Sequence, residues 1–498
     1  MKLKNMLVGL ENLKVKGDLD IEISGIENNS KNVKEGNLFV AIKGFSTDGH
    51  QYVENAIENG AIAIMIQEGC DLKGVKIPDD VTVVMAKDTR EGLAIVSDNF
   101  YDHPSRKFKL IGVTGTKGKT TTTFMIKEIL EKAGKKVGLI GTIATYINGK
   151  KIKDSDRTTP ESLELQQTFA EMVKQGVEVV VMEVSSQSLK LNRVEGCNFD
   201  IVLFTNFSED HISPKEHPDM QDYFDSKLKL FKMCKTGIVN TDDLHGAKIP
   251  RLFPDSNITT YGIDNYANVL AKDITITNSY VDFKVKIKDK NERVKTGIPG
   301  RFSVYNSLAA ICVAQKFGID PEKVKEALLE VRVPGRSELV DNKREIPIMI
   351  DYAHSPESLE NILQATKSYT RGKVISVFGC GGDRDAGKRP IMGEISGRIA
   401  DFTIITSDNP RTEDPKKIVE QIEEGMKKTN GKYMVVVDRV EAIKEAIKMA
   451  TKRDIIILAG KGHEPYQEIN GEKHPFDERI IVREIINELD KEAKTKKK

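Results

Sequence analysis

The sequence predicts an α/β protein of three domains, and three observations carry that prediction. Its 498 residues are too many for one hydrophobic core and suggest about three domains of ordinary size. Short apolar runs alternate with helical patterns along the chain, as in parallel sheets covered by helices. Between one such run, Leu110-Ile111, and one such helix lies the glycine loop Gly112-Val113-Thr114-Gly115-Thr116-Lys117-Gly118-Lys119-Thr120. The expected divisions are a small α/β domain over 1–105, a central doubly wound phosphate-loop domain over 106–335, and a Rossmann-like domain over 336–498.

Composition narrows the class. An apolar content of 39% with 30% charged residues reads as a soluble, globular chain. A net charge of +1 gives no field to draw nucleic acid or an anionic membrane. The five cysteines are scattered without Cys-x-x-Cys pairing, which points to a reducing cytoplasm and away from a disulfide framework or zinc site. The basic start has an apolar run, Met6-Leu7-Val8, far too short for a signal peptide, and no segment is long enough to span a bilayer. The lysine-rich end, Lys491 to Lys498, reads as a solvated tail.

In the first domain, Leu38–Ile42, Ala61–Ile66 and Val81–Met85 read as short buried strands, with a helical stretch from Tyr52 to Asn59. The polar turn Asn28–Val33 flanks the first strand, and Tyr101–Lys107, with Pro104, reads as a linker. Next comes the glycine loop. Met125, Ile126, Ile129, Leu130 and Ala133 recur after it at helical spacing, and Gly134 serves as a C-cap. A glycine loop between strand and helix turns backbone N–H groups inward around phosphate oxygens. Lys119 then adds a point charge for the outer phosphates, and Thr120 a hydroxyl for magnesium. The usual phosphate-loop spacing places glycine at 113; here Val113 stands between Gly112 and Gly115.

Three more buried strands follow, Val137–Ile140, Val177–Met182 and Ile201–Phe204. In doubly wound sheets chemistry gathers beyond the C-terminal strand ends. Glu183 stands at one such end, before Val184-Ser185-Ser186; Thr205-Asn206 ends the next, before Glu209-Asp210-His211. A carboxylate and an imidazole at neighbouring strand ends, beside a phosphate loop, suit a metal–nucleotide site. Lys227 lies on the helical stretch Asp225–Phe231, where the pattern fits a solvated lysine as well as a site group. Lys272 to Lys295 alternates like antiparallel hairpin strands, Asn306 begins an apolar helix, and Pro334-Gly335 marks the next boundary.

The third domain repeats the strand-end pattern. Apolar runs lead into Asp351-Tyr352-Ala353-His354-Ser355-Pro356, Gly379-Cys380-Gly381-Gly382-Asp383-Arg384-Asp385, Ser407-Asp408-Asn409-Pro410-Arg411 and Gly460-Lys461-Gly462-His463-Glu464. These read as one crevice lined by strand-end loops, with Arg384 and Arg411 suited to two-point carboxylate capture. No zinc cluster, dinucleotide Gly-x-Gly-x-x-Gly or Ser-His-Asp spacing is visible. An ATP-driven joining reaction fits best: a carboxylate and ATP give an acyl phosphate, which an amine attacks.

On the motifs Thr114–Thr120, Met182–Ser186, Thr205 to His211, Asp351–Pro356, Gly379–Pro390, Asp408–Arg411 and Gly460–Glu464, the chain resembles the Mur ligase family over nearly its full length. The resemblance is strongest to the branch adding the third peptide residue. It implies UDP-N-acetylmuramoyl-L-alanyl-D-glutamate, meso-2,6-diaminopimelate and ATP as substrates and Mg2+ as cofactor. The setting it implies is cytoplasmic peptidoglycan precursor synthesis by a monomer that binds no nucleic acid and inserts in no membrane. The first domain would bind the UDP-sugar, through Ser30, while Thr158, Thr159, Ser185 and Arg193 would hold the muramoyl dipeptide. ATP would lie against Thr114, Gly115, Thr116, Lys117, Gly118, Lys119 and Thr120, with Asn306, Arg336, Asp351 and His354. Thr120, Glu183, His211 and a carbamylated Lys227 would hold the metal, and Lys119, Glu183, His211 and Lys227 would carry the catalysis. Arg384, Asp408, Asn409, Pro410, Arg411, Gly460 and Glu464 would receive the amino acid.

The chain departs from the family at Lys117, where relatives commonly have Asn, and at Leu191, where many carry Gln. The first adds charge beside the phosphates, and the second removes one polar contact of the dipeptide loop. The alternatives are the same ligase using L-lysine, a folylpolyglutamate synthase, or a phosphate-loop switch that hydrolyses ATP without joining anything. The long segment ahead of the phosphate loop and the arginine motifs of the third domain count against the synthase.

Overall fold

The computed structural model describes residues 1–495 other than 46, 71, 73, 210, 211, 214, 215, 288 and 289; the side chains of 493 and 494 also lie outside the description. The chain divides into two compact units, Met1–Leu270 with Leu308–Asp320, and Ala271–Ser307 with Pro321–Lys498.

The first unit holds two sheets. One has five strands in the order Lys14–Lys16, Thr82–Ala86, Ala61–Gln67, Asn37–Val40, Gly25–Glu27, parallel except for the first. Its alternate residues enter two separate cores. Leu38, Val40, Ala63 and Met65 pack with Leu93 and Val96, whereas Phe39, Ile64 and Ile66 pack with Val53 and Ala56. Strands buried on both faces read as continuous apolar runs, which is why these were visible in the sequence. The edge strand Lys14–Lys16 is exposed throughout and carries no such signal.

The larger sheet has nine strands. Lys109–Thr114 runs between Phe199–Phe204 and Val179–Glu183, and Val137–Ile140 lies beyond the latter, all parallel. The chain builds to one side of Lys109–Thr114 first and to the other side afterwards, so this strand sits where the strand order reverses. Ligands bind at the carboxyl ends of strands at such a point. Register places Glu183 opposite Val113 and Phe204 opposite Thr114, which brings three strand-end loops together. Strands Cys234–Asn240, Asn257–Gly262, Ala144–Ile147 and Lys150–Asp154 extend the sheet beyond the predicted set. The segment read as a linker is anchored: Ser105 is fully buried, and its hydroxyl accepts the Asn198 amide at 3.1 Å.

The second unit holds the predicted antiparallel strands, Lys272–Ile276, Val281–Ile287 and Lys290–Thr296. Its main sheet has six strands in the order Glu338–Leu339, Ile348–Asp351, Ile455–Ala459, Val374–Phe378, Phe402–Ile405, Tyr433–Val435, parallel but for the first. Cores cover both faces, one around Ile350, Val377, Ile443 and Ile485, the other around Met349, Phe378, Met392 and Ile422. A hairpin, Tyr466–Ile469 with Glu472–Pro475, follows the last parallel strand. The helix expected to begin at Asn306 begins at Arg301 and runs to Lys316. Among the described residues, no helix is long and apolar enough to cross a membrane.

Candidate active site

In the first unit the phosphate loop closes onto its helix as the sequence implies. Gly115 and Gly118 adopt φ of 139° and 85°. A Cβ on Gly115 would strike the Thr205 hydroxyl, so the close approach of the two loops requires glycine. The helix Lys119–Lys132 has Gly118 as N-cap and no side-chain cap, and a helix start of this kind favours an anion. The Lys119 ammonium donates to the carbonyls of Gly115 at 2.9 Å and Thr116 at 3.0 Å. Asn206 holds the loop from the next strand, accepting the Lys117 amide at 2.8 Å and donating to the Lys117 carbonyl at 3.0 Å. The Lys117 backbone is thus gripped on both sides.

Glu183 is 1% exposed. Its Oε2 accepts the Thr120 hydroxyl at 3.0 Å and the Thr142 hydroxyl at 3.1 Å, and its Oε1 accepts the Thr142 amide at 2.9 Å. The predicted dipeptide residues meet beside it. Thr142 and Thr158 share a hydroxyl–hydroxyl bond of 3.1 Å. The Thr159 hydroxyl donates to the Glu183 carbonyl at 2.9 Å and accepts the Ser185 amide at 3.1 Å. Arg193 Nη1 donates to the Thr159 carbonyl at 3.3 Å, while Nη2 pairs with Glu161 at 2.9 Å. Lys227 is buried, with its ammonium 3.0 Å from the Gly115 carbonyl and 4.2 Å from the centre of the Tyr223 ring. Asp210 and His211 lie outside the described residues. Ser30 is buried at the head of a 3₁₀ turn in the five-stranded part, its carbonyl accepting from Asn59 at 2.9 Å.

In space, though not in sequence spacing, a Ser-His-Asp line does form. His217 contacts the Ser186 hydroxyl at 2.9 Å through Nε2 and Asp222 at 2.6 Å through Nδ1. Lys190 also holds Asp222, at 2.8 Å, and burial pulls the His217 imidazole below its ordinary pKa. Ser186 and His217 are both buried, so this line braces the turn carrying Ser185 and offers no open nucleophile.

In the second unit Arg336 stacks its guanidinium 4.7 Å above the Tyr352 ring. Asp351 accepts the Ser337 amide at 2.8 Å, and burial pushes its carboxyl above the usual carboxylate range against the pull of Arg336. His354 is turned by a 2.8 Å contact between Nδ1 and the Tyr352 carbonyl. Asn306 is buried within its helix.

The residues expected to receive the amino acid form a tighter group. Asn409 donates to Glu464 at 2.8 Å, and its carbonyl oxygen accepts from Lys461 at 3.0 Å and from the Glu468 amide at 2.9 Å. Lys461 is wholly enclosed, and burial lowers its pKa despite the nearby Asp408. Gly460, at φ 116°, faces Asp408 so closely that a Cβ would strike the carboxylate. Arg411, at φ 51°, donates from Nε to Glu468 at 3.1 Å and from Nη1 to the Gly382 carbonyl at 2.6 Å. Arg384 is exposed, and Pro410 is buried between these loops.

Three family models match in turn: "Mur ligase family, catalytic domain" on residues 22–101, "Mur ligase middle domain" on 113–314, and "Mur ligase, glutamate ligase domain" on 335–462. A UDP-N-acetylmuramoyl-L-alanyl-D-glutamate–2,6-diaminopimelate ligase of Caldanaerobacter subterraneus subsp. tengcongensis is 50% identical over 492 residues, covering 99% of this chain and all of its own. The chain belongs to the Mur ligase family. A Clostridium botulinum protein of the same description is 46% identical, over 94% of this chain and 96% of that one. A solved structure, also of a UDP-N-acetylmuramoyl-L-alanyl-D-glutamate–2,6-diaminopimelate ligase, superposes with a TM-score of 0.71 at 28% identity, over 98% and 99% of the two chains. As a Mur ligase the chain is an ATP-dependent enzyme that joins an acid to an amino acid, built on the three-domain α/β plan.

Two groups in this Mur ligase escaped the sequence reading. Thr142 gives both amide and hydroxyl to Glu183, and its place just past the strand Val137–Ile140 was the signal for it. Arg389, 1% exposed, makes a two-point pair with Glu413 at 2.8 Å and 2.8 Å. Glu413 in turn accepts the Asp383 amide at 2.6 Å and so fixes the loop that presents Arg384.

Proposed function

We propose that this Mur ligase adds meso-2,6-diaminopimelate to UDP-N-acetylmuramoyl-L-alanyl-D-glutamate, as a cytoplasmic monomer, with release of ADP and phosphate. The observation that carries the reading is full-length likeness to relatives named for that reaction. Residues 1–105 take the UDP-sugar, with Ser30 in contact. Residues 106–335 take ATP and the dipeptide, and residues 336–498 take the amino acid.

The substrate carboxylate attacks the terminal phosphorus of ATP; a P–O bond forms, the bond to ADP breaks, and an acyl phosphate results. The amine then attacks the acyl carbon, loses a proton, and expels phosphate to leave an amide. Lys119 and the N-terminal end of its helix would stabilise the transferring phosphoryl group. Thr158, Thr159, Ser185 and Arg193 would orient the dipeptide next to Glu183. Asn306, Arg336, Asp351 and His354 would meet the nucleotide, with the Arg336–Tyr352 stack as a platform.

Magnesium fits the donor set here: the buried Glu183 carboxylate and the Thr120 hydroxyl on it are hard oxygen donors, the kind that ion prefers beside phosphates. Glu183 and Thr120, with His211 and Lys227, would hold it, and when bound it would neutralise phosphate charge. Lys227 would join the set as a carbamate, formed when its deprotonated amine adds carbon dioxide and loses a proton. Replacing Lys227 by alanine should then remove most activity, and acetate should restore part of it by supplying the missing oxygens. Full activity in Lys227→Ala, with a free amine by mass in the active enzyme, would refute the modification.

Phosphate release, measured with the UDP-muramoyl dipeptide against a panel of amino acids, tests the whole reading. Release is expected to be fast with the dipeptide and diaminopimelate together and far slower with other amino acids. Release that needs no amino acid would make the chain a phosphate-loop switch, and joining of glutamate to a folate would favour the sister synthase.

A further inference from the structure

The second unit contains a buried ion pair that none of the chemistry above uses. Arg439 is the first residue of the helix Arg439–Met449, and Glu478 is the first residue of the C-terminal helix Glu478–Thr495. Each is 2% exposed. Arg439 Nε donates to Glu478 Oε1 at 2.8 Å, and Glu478 Oε2 has no hydrogen-bond partner. A cation at a helix N-terminus opposes the helix dipole, and a buried pair of this kind adds little net stability over apolar residues of similar size. Local stability therefore does not account for Arg439.

Its other donors do. Nη1 donates to the Ser407 carbonyl at 3.4 Å and Nη2 to the Ala459 carbonyl at 3.0 Å. Ser407 immediately precedes Asp408, and Ala459 immediately precedes Gly460. The strands leading to them, Phe402–Ile405 and Ile455–Ala459, are not neighbours, because Val374–Phe378 runs between them. One guanidinium thus spans an intervening strand and ties together the two loops that carry Asp408, Asn409, Gly460 and Glu464. Glu478 holds the same guanidinium through its Nε. Lys461 makes a second tie between the same loops by donating to Asn409.

We infer that Arg439 and Glu478 are positioning residues for the amino acid: they set the separation of the 407–409 and 459–464 loops without touching the substrate. The inference rests on the proposed amino-acid site and deepens it.

The test compares steady-state kinetics of the full-length enzyme with Glu478→Gln, Arg439→Lys and the double variant Arg439→Met/Glu478→Leu. Wild-type use of diaminopimelate is the reference; its absence would defeat the proposed function rather than this inference. Each single variant is expected to raise the KM for the amino acid tenfold or more, with the KM for ATP and for the UDP-dipeptide within twofold of wild type. The double variant is expected to recover the wild-type melting temperature, since apolar residues of similar volume replace both charges, while keeping the raised KM for the amino acid. A double variant with a normal amino-acid KM, or single variants in which all three KM values move together, would overturn the inference and leave the pair as packing alone.

Discussion

Lys119→Ala is expected to reduce turnover by about 100-fold to 1,000-fold or more, the loss seen when one preorganised donor to developing charge is removed from a water-poor site. That corresponds to about 3 kcal/mol of transition-state stabilisation. Lys119 is the first residue of its helix, where a positive charge faces the positive end of the dipole. A phosphate bound at that N-terminus turns the same placement from unfavourable to favourable. Its ammonium already leans on the carbonyls of Gly115 and Thr116, so the side chain is drawn to the loop that would enclose the phosphates. The folded state should tolerate the change, because the residue is only partly buried and Gly115, Gly118 and Asn206 set the loop backbone. Phosphate release at saturating substrates, with circular dichroism to confirm the fold, measures the effect. Near-normal turnover in a folded Lys119→Ala variant would sink the assignment of this loop.

Much of this architecture was legible because parallel strands buried on both faces announce themselves as apolar runs, and chemistry follows their carboxyl ends. That rule located the phosphate loop, Glu183, Thr205-Asn206 and the four clusters of the Rossmann-like sheet. It missed Thr142, although it found the strand Val137–Ile140 just before it. A glycine and a threonine carry no titratable group, and only the fold reveals that both oxygens of Glu183 rest on that residue. The edge strands Lys14–Lys16 and Lys150–Asp154 were missed for another reason. Every residue in them is exposed, so neither has an apolar face to display.

Buried charged residues were the least legible. Arg389, Arg439 and Glu478 lie in helical stretches where charge normally means solvent, yet all three are buried. Partners 24 and 39 residues distant in sequence hold the two arginines, and no local pattern links them. The Ser186–His217–Asp222 line was invisible for the same reason, since its members meet only through the fold. The early start of the helix at Arg301 reflects polar residues, Arg301 and Ser303, ahead of the apolar stretch that signalled it.

Selection of the amino acid turns on the far end of the molecule, because every candidate has an α-carboxylate and an amine. Meso-diaminopimelate differs from lysine by a second carboxylate there, and a site that prefers it needs a fixed cation. Arg411 is fixed more firmly than the sequence could indicate. Its backbone amide donates to the Glu468 carbonyl at 3.0 Å, its carbonyl accepts the Asn470 amide at 2.8 Å, and its Nε and Nη1 hold Glu468 and the Gly382 carbonyl. These contacts engage Nε and Nη1; a clamp would pair a carboxylate with Nη2 and the second Nη1 proton. Lysine would leave those donors unpaired. The Arg411 side chain is 21% exposed, so the lower end of the range for an unpaired interfacial charge applies, about 2 kcal/mol. This predicts discrimination against lysine of about thirtyfold. Because Arg411 also braces Gly382, the rate of Arg411→Ala alone would not separate clamping from bracing; the ratio of kcat/KM for diaminopimelate over lysine does. A clamp predicts that this ratio falls towards one in Arg411→Ala, while the KM values for ATP and the UDP-dipeptide stay near those of the unmodified enzyme. A brace predicts that both amino acids lose rate equally and the ratio persists. Equal use of lysine and diaminopimelate by the unmodified enzyme would defeat the clamp and leave the ligase standing, with specificity set elsewhere.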